Sequence, residues 1–153
     1  MRTTDAAFGT PYRLDPALDF MRLLWSVEHG LQRLSKRMES ELGITGPQRL
    51  VLRVVGRFPD LSAGELAHIV RLHPSTITGI VQRLVTRGLL ERSRDPGDSR
   101  RTRLRLRSRA RAFTRASSGT VERAVVRALR QAGPADVRGA RRVLAAVAKN
   151  LDR

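Results

Sequence analysis

Apolar residues recur at helical spacing through most of this chain and at alternate positions in one short stretch. From Leu61 to Leu106 both patterns occur in succession. Leu66, Ile69 and Val70 share one face of a short helix, which Ser62 and Glu65 open as a capping box. Leu72-His73-Pro74 breaks it, because proline cannot continue a helix but suits the first turn of the next. A second helix then buries Ile77, Ile80, Val81 and Leu84, with Gly88 as its stop. A strand begins at Leu89-Leu90-Glu91-Arg92. The return strand alternates, with Thr102, Leu104 and Leu106 on one side and Arg101, Arg103, Arg105 and Arg107 on the other. Asp95-Pro96-Gly97-Asp98 supplies the turn, and Asp98 and Arg100 are placed to pair across its tip.

The flanking segments are helical. Asp15-Pro16 is a cap followed by a first-turn proline, and the helix runs to Leu42 with Gly43 as its stop. Its apolar residues form two stripes: Leu24, Val27, Leu31, Leu34 and Met38, and beside them Leu14, Leu18, Met21 and Trp25. A helix apolar on two sides must be buried on two sides, once against its own domain and once against a second copy. Residues 44–58 form the next helix, with Leu50, Val51, Val54 and Val55 inward, and Leu61 adds a short third strand. Beyond the hairpin, Ser108 caps a long helix to about Gln131. After Gly133-Pro134 the last helix sets Val137, Ala140, Leu144, Val147 and Leu151 in a heptad-like seam. The resulting fold class is mostly α with a small β wing. Its expected parts are a flexible arm at 1–14, a dimerisation helix at 15–43, a winged helix-turn-helix domain at 44–107, and dimerisation helices at 108–153.

What the second helix of the pair leaves outside indicates a partner. Ser75, Thr76, Thr78, Gly79, Gln82 and Arg83 are small or hydrogen-bonding and include no acid. A helix entering the major groove needs short donors near its N-terminus and longer Gln or Arg side chains for base edges. Gly79 allows close backbone approach. An ordinary solvated face would carry Glu and Lys at i, i+4 spacing instead.

Charge points the same way. The formal net charge of the 153 residues is +16, and Lys36 and Lys149 are the only lysines. Between Arg83 and Arg115 lie twelve arginines (83, 87, 92, 94, 100, 101, 103, 105, 107, 109, 111, 115) against Glu91, Asp95 and Asp98. A uniform arginine bias would not cluster them so, and a polyanionic partner is the leading reading. No basic amphipathic helix has the bulky apolar face that a membrane surface requires. The absence of cysteine excludes disulfides and thiolate zinc sites. His29, His68 and His73 have no metal-ligand spacing, and no phosphate loop, nucleophile elbow or carboxylate pair stands out, so neither an enzyme nor a cofactor or metal protein is expected. The chain opens without a leader pattern and has no apolar run of spanning length, which leads to the expectation of a cytoplasmic, nucleoid-associated protein.

The capped Glu65-Leu66-Ala67, the run PSTITGIVQRLVTRGLLER from Pro74, the wing tip DPGDSRR from Asp95 and the upstream GITGPQRLVLRVV resemble the winged helix-turn-helix of MarR-family transcriptional regulators. Arg107 and Ala110 depart from the threonine and glycine usual in that family. The resemblance implies an obligate dimer on double-stranded DNA, with a recognition helix at about 74–87 in the major groove and a wing at about 92–103 in the minor groove or on the backbone. The operator would be palindromic. Candidate DNA-binding residues are Ser62, His73, Pro74, Ser75, Thr76, Thr78, Gly79, Gln82, Arg83, Arg92, Arg94, Asp98, Arg100, Arg101 and Arg103, with Arg94 and Arg101 free for phosphate. Family members are commonly repressors relieved by a small aromatic or lipophilic acid. By resemblance Trp25, His29, Arg33 and Arg53 are candidates for such a pocket, with plain interface packing and solvated arginines as the alternative. The lack of cysteine rules out the thiol-based peroxide sensing of one family branch. Two other functions remain open: a nonspecific architectural nucleic-acid protein, favoured by charge alone, and a helical scaffold with an incidental wing.

Overall fold

The computed structural model describes residues 14–98, 101–115 and 118–151. Its elements are α1 (Pro16–Leu42), α2 (Gly46–Arg57), α3 (Ala63–Val70), α4 (Pro74–Thr86), β1 (Leu90–Arg94), β2 (Thr102–Leu106), a short 3-10 turn (Ser108–Ala110), α5 (Arg111–Thr114), α6 (Val121–Gln131) and α7 (Pro134–Leu151). The expected flexible arm falls outside the described residues except for Leu14. The chain divides after Arg33 into two compact units.

Local chemistry sets the element ends. Asp15 caps α1 by accepting the amides of Ala17 (2.9 Å) and Leu18 (3.1 Å), and Gly43, with φ of 68°, ends it in the left-handed region. Two capping boxes follow: Thr45 with Gln48 on α2, and Ser62 with Glu65 on α3. Arg71 closes α3 with φ of 53° and ψ of 44°, a left-handed conformation usually left to glycine. The hairpin pairs Leu90 with Leu106 and Arg94 with Thr102 in antiparallel register. Leu61 pairs with Leu104 as an isolated bridge, so the third strand expected there is reduced to one bridge on a two-stranded sheet.

The core of the second unit unites Val51, Leu52 and Val55 of α2, Leu66 and Ala67 of α3, Ile77, Ile80, Val81 and Leu84 of α4, and Leu90 and Leu104 of the wing. All four inward residues expected on α4 are buried. Two expectations need correction. The inner face of α2 is rotated: Leu50 is 45% exposed and Leu52 is buried in its place. Gln48 and Arg49 on the same side find polar partners inside and turn the helix accordingly. On α3, Ala67 is buried while Ile69 is 44% exposed.

The expected single helix from Ser108 to Gln131 is broken. Arg107 precedes the 3-10 turn without a side-chain cap, α5 lasts one turn, and Arg115 is extended. Gly119, with φ of 72°, turns the chain before α6 starts after Thr120. Buried Arg49 fixes this corner. Its Nε bonds Glu122 at the start of α6, Nη1 donates to the Phe113 carbonyl, and Nη2 donates to the Arg115 carbonyl at 2.6 Å. Two carbonyls drawn to a guanidinium are thereby lost to helix continuation.

Neither α6 nor α7 has a buried residue, and Val125, Leu129, Leu144 and Leu151 stay exposed. In the first unit, Leu18, Met21, Trp25, Val27 and Leu31 of α1 are also exposed.

Removing the Arg49 guanidinium strands the two carbonyls, whereas Glu122, 30% exposed, can rehydrate. The loss should therefore match hydrogen bonds to a charged group rather than a fully buried charge: about 2–3 kcal/mol for Arg49→Met. Urea unfolding at fixed protein concentration checks this, and a loss under about 0.5 kcal/mol would contradict the corner's role.

Candidate nucleic-acid interface

The exposed side of α4 starts from an unusual cap. His73 is the N-cap, and its Nδ1 accepts from the Ser75 amide at 3.3 Å and lies 2.7 Å from the Ser75 hydroxyl. Pro74 occupies the first turn, where its missing N–H has no intrahelical partner to lose. The Thr78 hydroxyl donates back to the Pro74 carbonyl at 2.9 Å, which turns its oxygen towards the helix. Thr76, Gln82 and Arg83 are exposed on the same helix, and α4 has no acid in its first turn. A Cβ added at Gly79 would meet nothing within 4 Å, so that surface is open. Ser62, by contrast, is occupied in its capping box: its Oγ lies 2.8 Å from Glu65 and accepts the Glu65 amide.

The arginines of the wing divide into two groups. Arg103 bonds Asp95 at 2.8 Å, while the other oxygen of Asp95 takes the Gly97 amide, so this carboxylate shapes the turn. The sequence-level pairing of Asp98 with Arg100 involves Arg100, which lies outside the described residues. Arg105 forms a two-point pair with Asp60, at 2.5 and 3.0 Å. Arg107 lies 3.6 Å from Glu91. Arg92 reaches from β1 to the Gln82 carbonyl on α4 at 3.2 Å, which brings two candidate DNA residues into one bond. Arg83, Arg94 and Arg101 make no side-chain hydrogen bond or salt bridge with any of the described residues and stand exposed at the surface, although Arg101 acts on Glu65 through its charge.

Electrostatics agree with this division. The Arg103 side chain and then the Gly97 amide hold the Asp95 carboxyl below its ordinary value. Arg105 does the same for Asp60, and its own guanidinium is raised in return. Glu65 is lowered by the Ser62 amide and hydroxyl. For Glu122 burial works upwards, but its own backbone amide and Arg49 outweigh it and the net shift is down.

Two arginines are structural in a way the sequence pattern does not show: Arg49, and Arg87, which stands in the cluster expected to meet a polyanion. Arg87 donates to the Gly43 carbonyl at 2.6 Å and to Gln48 at 3.3 Å, and its guanidinium lies 5.9 Å from the centre of the Phe113 ring. It ties the end of α4 to the ends of α1 and α2. A sequence shows an arginine but not carbonyls supplied 44 residues away.

Trp25, His29 and Arg33 lie on α1 in the first unit, and Trp25 is 59% exposed. Arg53 belongs to the second unit, where it approaches Glu122 at 3.4 Å and the Thr114 carbonyl at 3.5 Å. Among the described residues, no group of three His, Asp or Glu side chains is arranged to hold a metal ion, and no helix is long and apolar enough to cross a membrane.

Comparison with known proteins places these features. The MarR family model matches residues 42–101, from the end of α1 to the residue before β2. A curated relative, the uncharacterized HTH-type transcriptional regulator YsmB of Bacillus subtilis strain 168, is 28% identical over 93 residues. That match spans 61% of this chain and 64% of the relative. The solved PcaV transcriptional regulator of Streptomyces coelicolor, in complex with its natural ligand, is 29% identical with a TM-score of 0.72, over 90% of this chain and 97% of PcaV. The fold is also that of a mutant Escherichia coli MarR complexed with operator DNA, at 23% identity and a TM-score of 0.67, over 86% of this chain and 94% of the other. The Staphylococcus aureus MepR–DNA complex matches at 17% identity and a TM-score of 0.69, over 86% and 97%.

Because the folded pKa values of Asp60 and Asp95 lie below their unfolded ones, their stabilisation is complete above the unfolded carboxylate value and is lost as pH falls through the lower folded value. Acid titration followed by circular dichroism should show no loss near neutrality and a transition below about pH 4. The Asp60→Asn variant should show a shallower acid step than the parent, and an identical step would contradict the assignment.

Proposed function

We propose, from the premise that this chain belongs to the MarR family, that it is a homodimeric, sequence-specific DNA-binding transcriptional regulator. One observation carries the proposal: a capped helix with an acid-free outer face lies beside a wing whose Arg94 and Arg101 make no side-chain hydrogen bond or salt bridge with any of the described residues. In this reading α4 enters the major groove, where Thr76, Gln82 and Arg83 meet base edges and the His73–Ser75 cap meets backbone phosphate. The wing reaches the minor groove or the backbone, where a guanidinium finds a deep negative potential. Asp95 and Arg103 shape the wing. The paired Ser62 hydroxyl leaves that residue a positional role.

The second copy is supported by exposure. Val27, Leu144 and Leu151 are 60%, 49% and 79% exposed, and exposed apolar surface of this kind marks an interaction site. Two copies joined through α1, α6 and α7 would put their recognition helices about one DNA turn apart, on a palindromic operator. A small aromatic or lipophilic acid is the proposed effector and relief of repression the proposed output. The PcaV structure, which holds its natural ligand, supports an effector. Trp25, His29 and Arg33 offer an aromatic body and cationic heads for it, whereas Arg53 is already engaged by Glu122. The site of action is the cytoplasm.

Selection of bound sequences from random duplex DNA at physiological salt tests the proposal. An imperfect palindrome with half-sites about ten base pairs apart is expected. Recovery of unselected DNA with steep salt dependence would favour the architectural reading. On the recovered site, Arg83→Ala should cost about 1–3 kcal/mol and flatten preference at one position. Arg101→Ala should weaken binding to all sequences and lower the salt slope by about one. Gly79→Ala should leave the fold intact or stabilise it by about 0.5–1 kcal/mol, since α4 gains a better helix former. If the helix backbone approaches the duplex at Gly79, the same variant should bind DNA more weakly.

A further inference from the structure

The bond from Arg92 Nη1 to Gln82 Oε1 joins the wing to the outer face of α4 at 3.2 Å, with both side chains exposed. Its chemistry fixes the amide. An arginine has no acceptor and an amide nitrogen has none to offer a donor, so the contact must use the Gln82 oxygen. The Nε2 amino group therefore faces away from Arg92 with both hydrogens available. Arg92 is held in turn by the ladder, where it opposes Leu104.

We propose that Arg92 is a positioning residue that sets the base preference of Gln82, making it a reader of guanine rather than adenine. The inference rests on the reading of α4 as the helix in the major groove. A free glutamine suits adenine, accepting from N6–H₂ while donating to N7. With Oε1 held by Arg92, Gln82 directs its two Nε2 hydrogens outwards, and the remaining lone pair of Oε1 stays beside the guanidinium. An adenine amino group placed against Nε2 would set donor against donor. Guanine offers two acceptors, N7 and O6, on the same edge, and the two Nε2 hydrogens match them. Arg92 thereby adds no base contact of its own but removes the amide flip that would let Gln82 accept either purine. No carboxylate bonds Arg92 among the described residues, so the guanidinium keeps its charge facing this site.

Parallel selections from one randomised duplex library test it, using the full-length wild type, Gln82→Ala, Arg92→Met and Arg92→Lys. The column that loses its preference in Gln82→Ala is the one Gln82 reads. In the wild type that column should be guanine, with adenine disfavoured about tenfold or more. In Arg92→Met the discrimination should fall to within about twofold while the other columns keep theirs. Arg92→Lys, which retains a donor and the charge, should keep guanine. Adenine in the wild-type column, an unchanged column in Arg92→Met, or an equal loss across all columns would each overturn the inference, the last by making Arg92 a backbone anchor. Recovery of no motif by the wild type would overturn the major-groove reading itself, and so is distinguishable from failure of the Arg92 assignment.

Discussion

A buried arginine governs how this chain is assembled. Arg49, 2% exposed, spends its donors on Glu122 and on the carbonyls of Phe113 and Arg115. A guanidinium taken from water needs that degree of satisfaction, since a buried charge without partners would cost several kcal/mol. The consequence is geometric. The chain leaving the wing must bring two carbonyls and the first turn of α6 to one point on α2, so the direction of the C-terminal helices is set by the winged domain. Arg87 performs a similar task from the end of α4, closing on Gly43 and Gln48. Together they join the ends of α1, α2 and α4 and the start of α6 through charge-assisted bonds in a core that has very few aromatic residues.

Positive charge is thus not one resource but two. Arg49, Arg87, Arg103 and Arg105 build the fold and the wing, each with an identified carboxylate or carbonyl. Arg83, Arg94 and Arg101 remain without such partners among the described residues. A surface assembled this way presents its free guanidinium groups from elements already held in place by the paired ones. That arrangement lowers the ordering cost of meeting a polyanion.

Much of this was legible in the sequence because it rests on local rules. The Ser62–Glu65 box, the four buried residues of α4, the alternation around Leu104 and the turn at Asp95 are each set by neighbours within a few positions. The pairing of Leu61 with Leu104 could be anticipated because an apolar residue beside a two-stranded ribbon has few other places to go. What failed depended on distant partners. Leu52 replaced Leu50 inside because Gln48 and Arg49 had partners elsewhere in the fold. The helix expected from Ser108 broke near Arg115 because Arg49 captured its carbonyls and Gly119 permitted the turn. At the candidate site the residues of α4 were legible as a face, but the bond between Gln82 and Arg92 was not.

In the proposed reading the outer face of α4 reads sequence while arginines without hydrogen-bonded partners supply general affinity. The specificity ratio of the wild-type protein tests it most directly: affinity for its selected duplex divided by affinity for random DNA of equal length, across a salt series. A ratio of about 10³ or more is expected at physiological salt, rising as salt suppresses backbone binding faster than base recognition. A ratio near one at every salt concentration, with both affinities falling together, would contradict it.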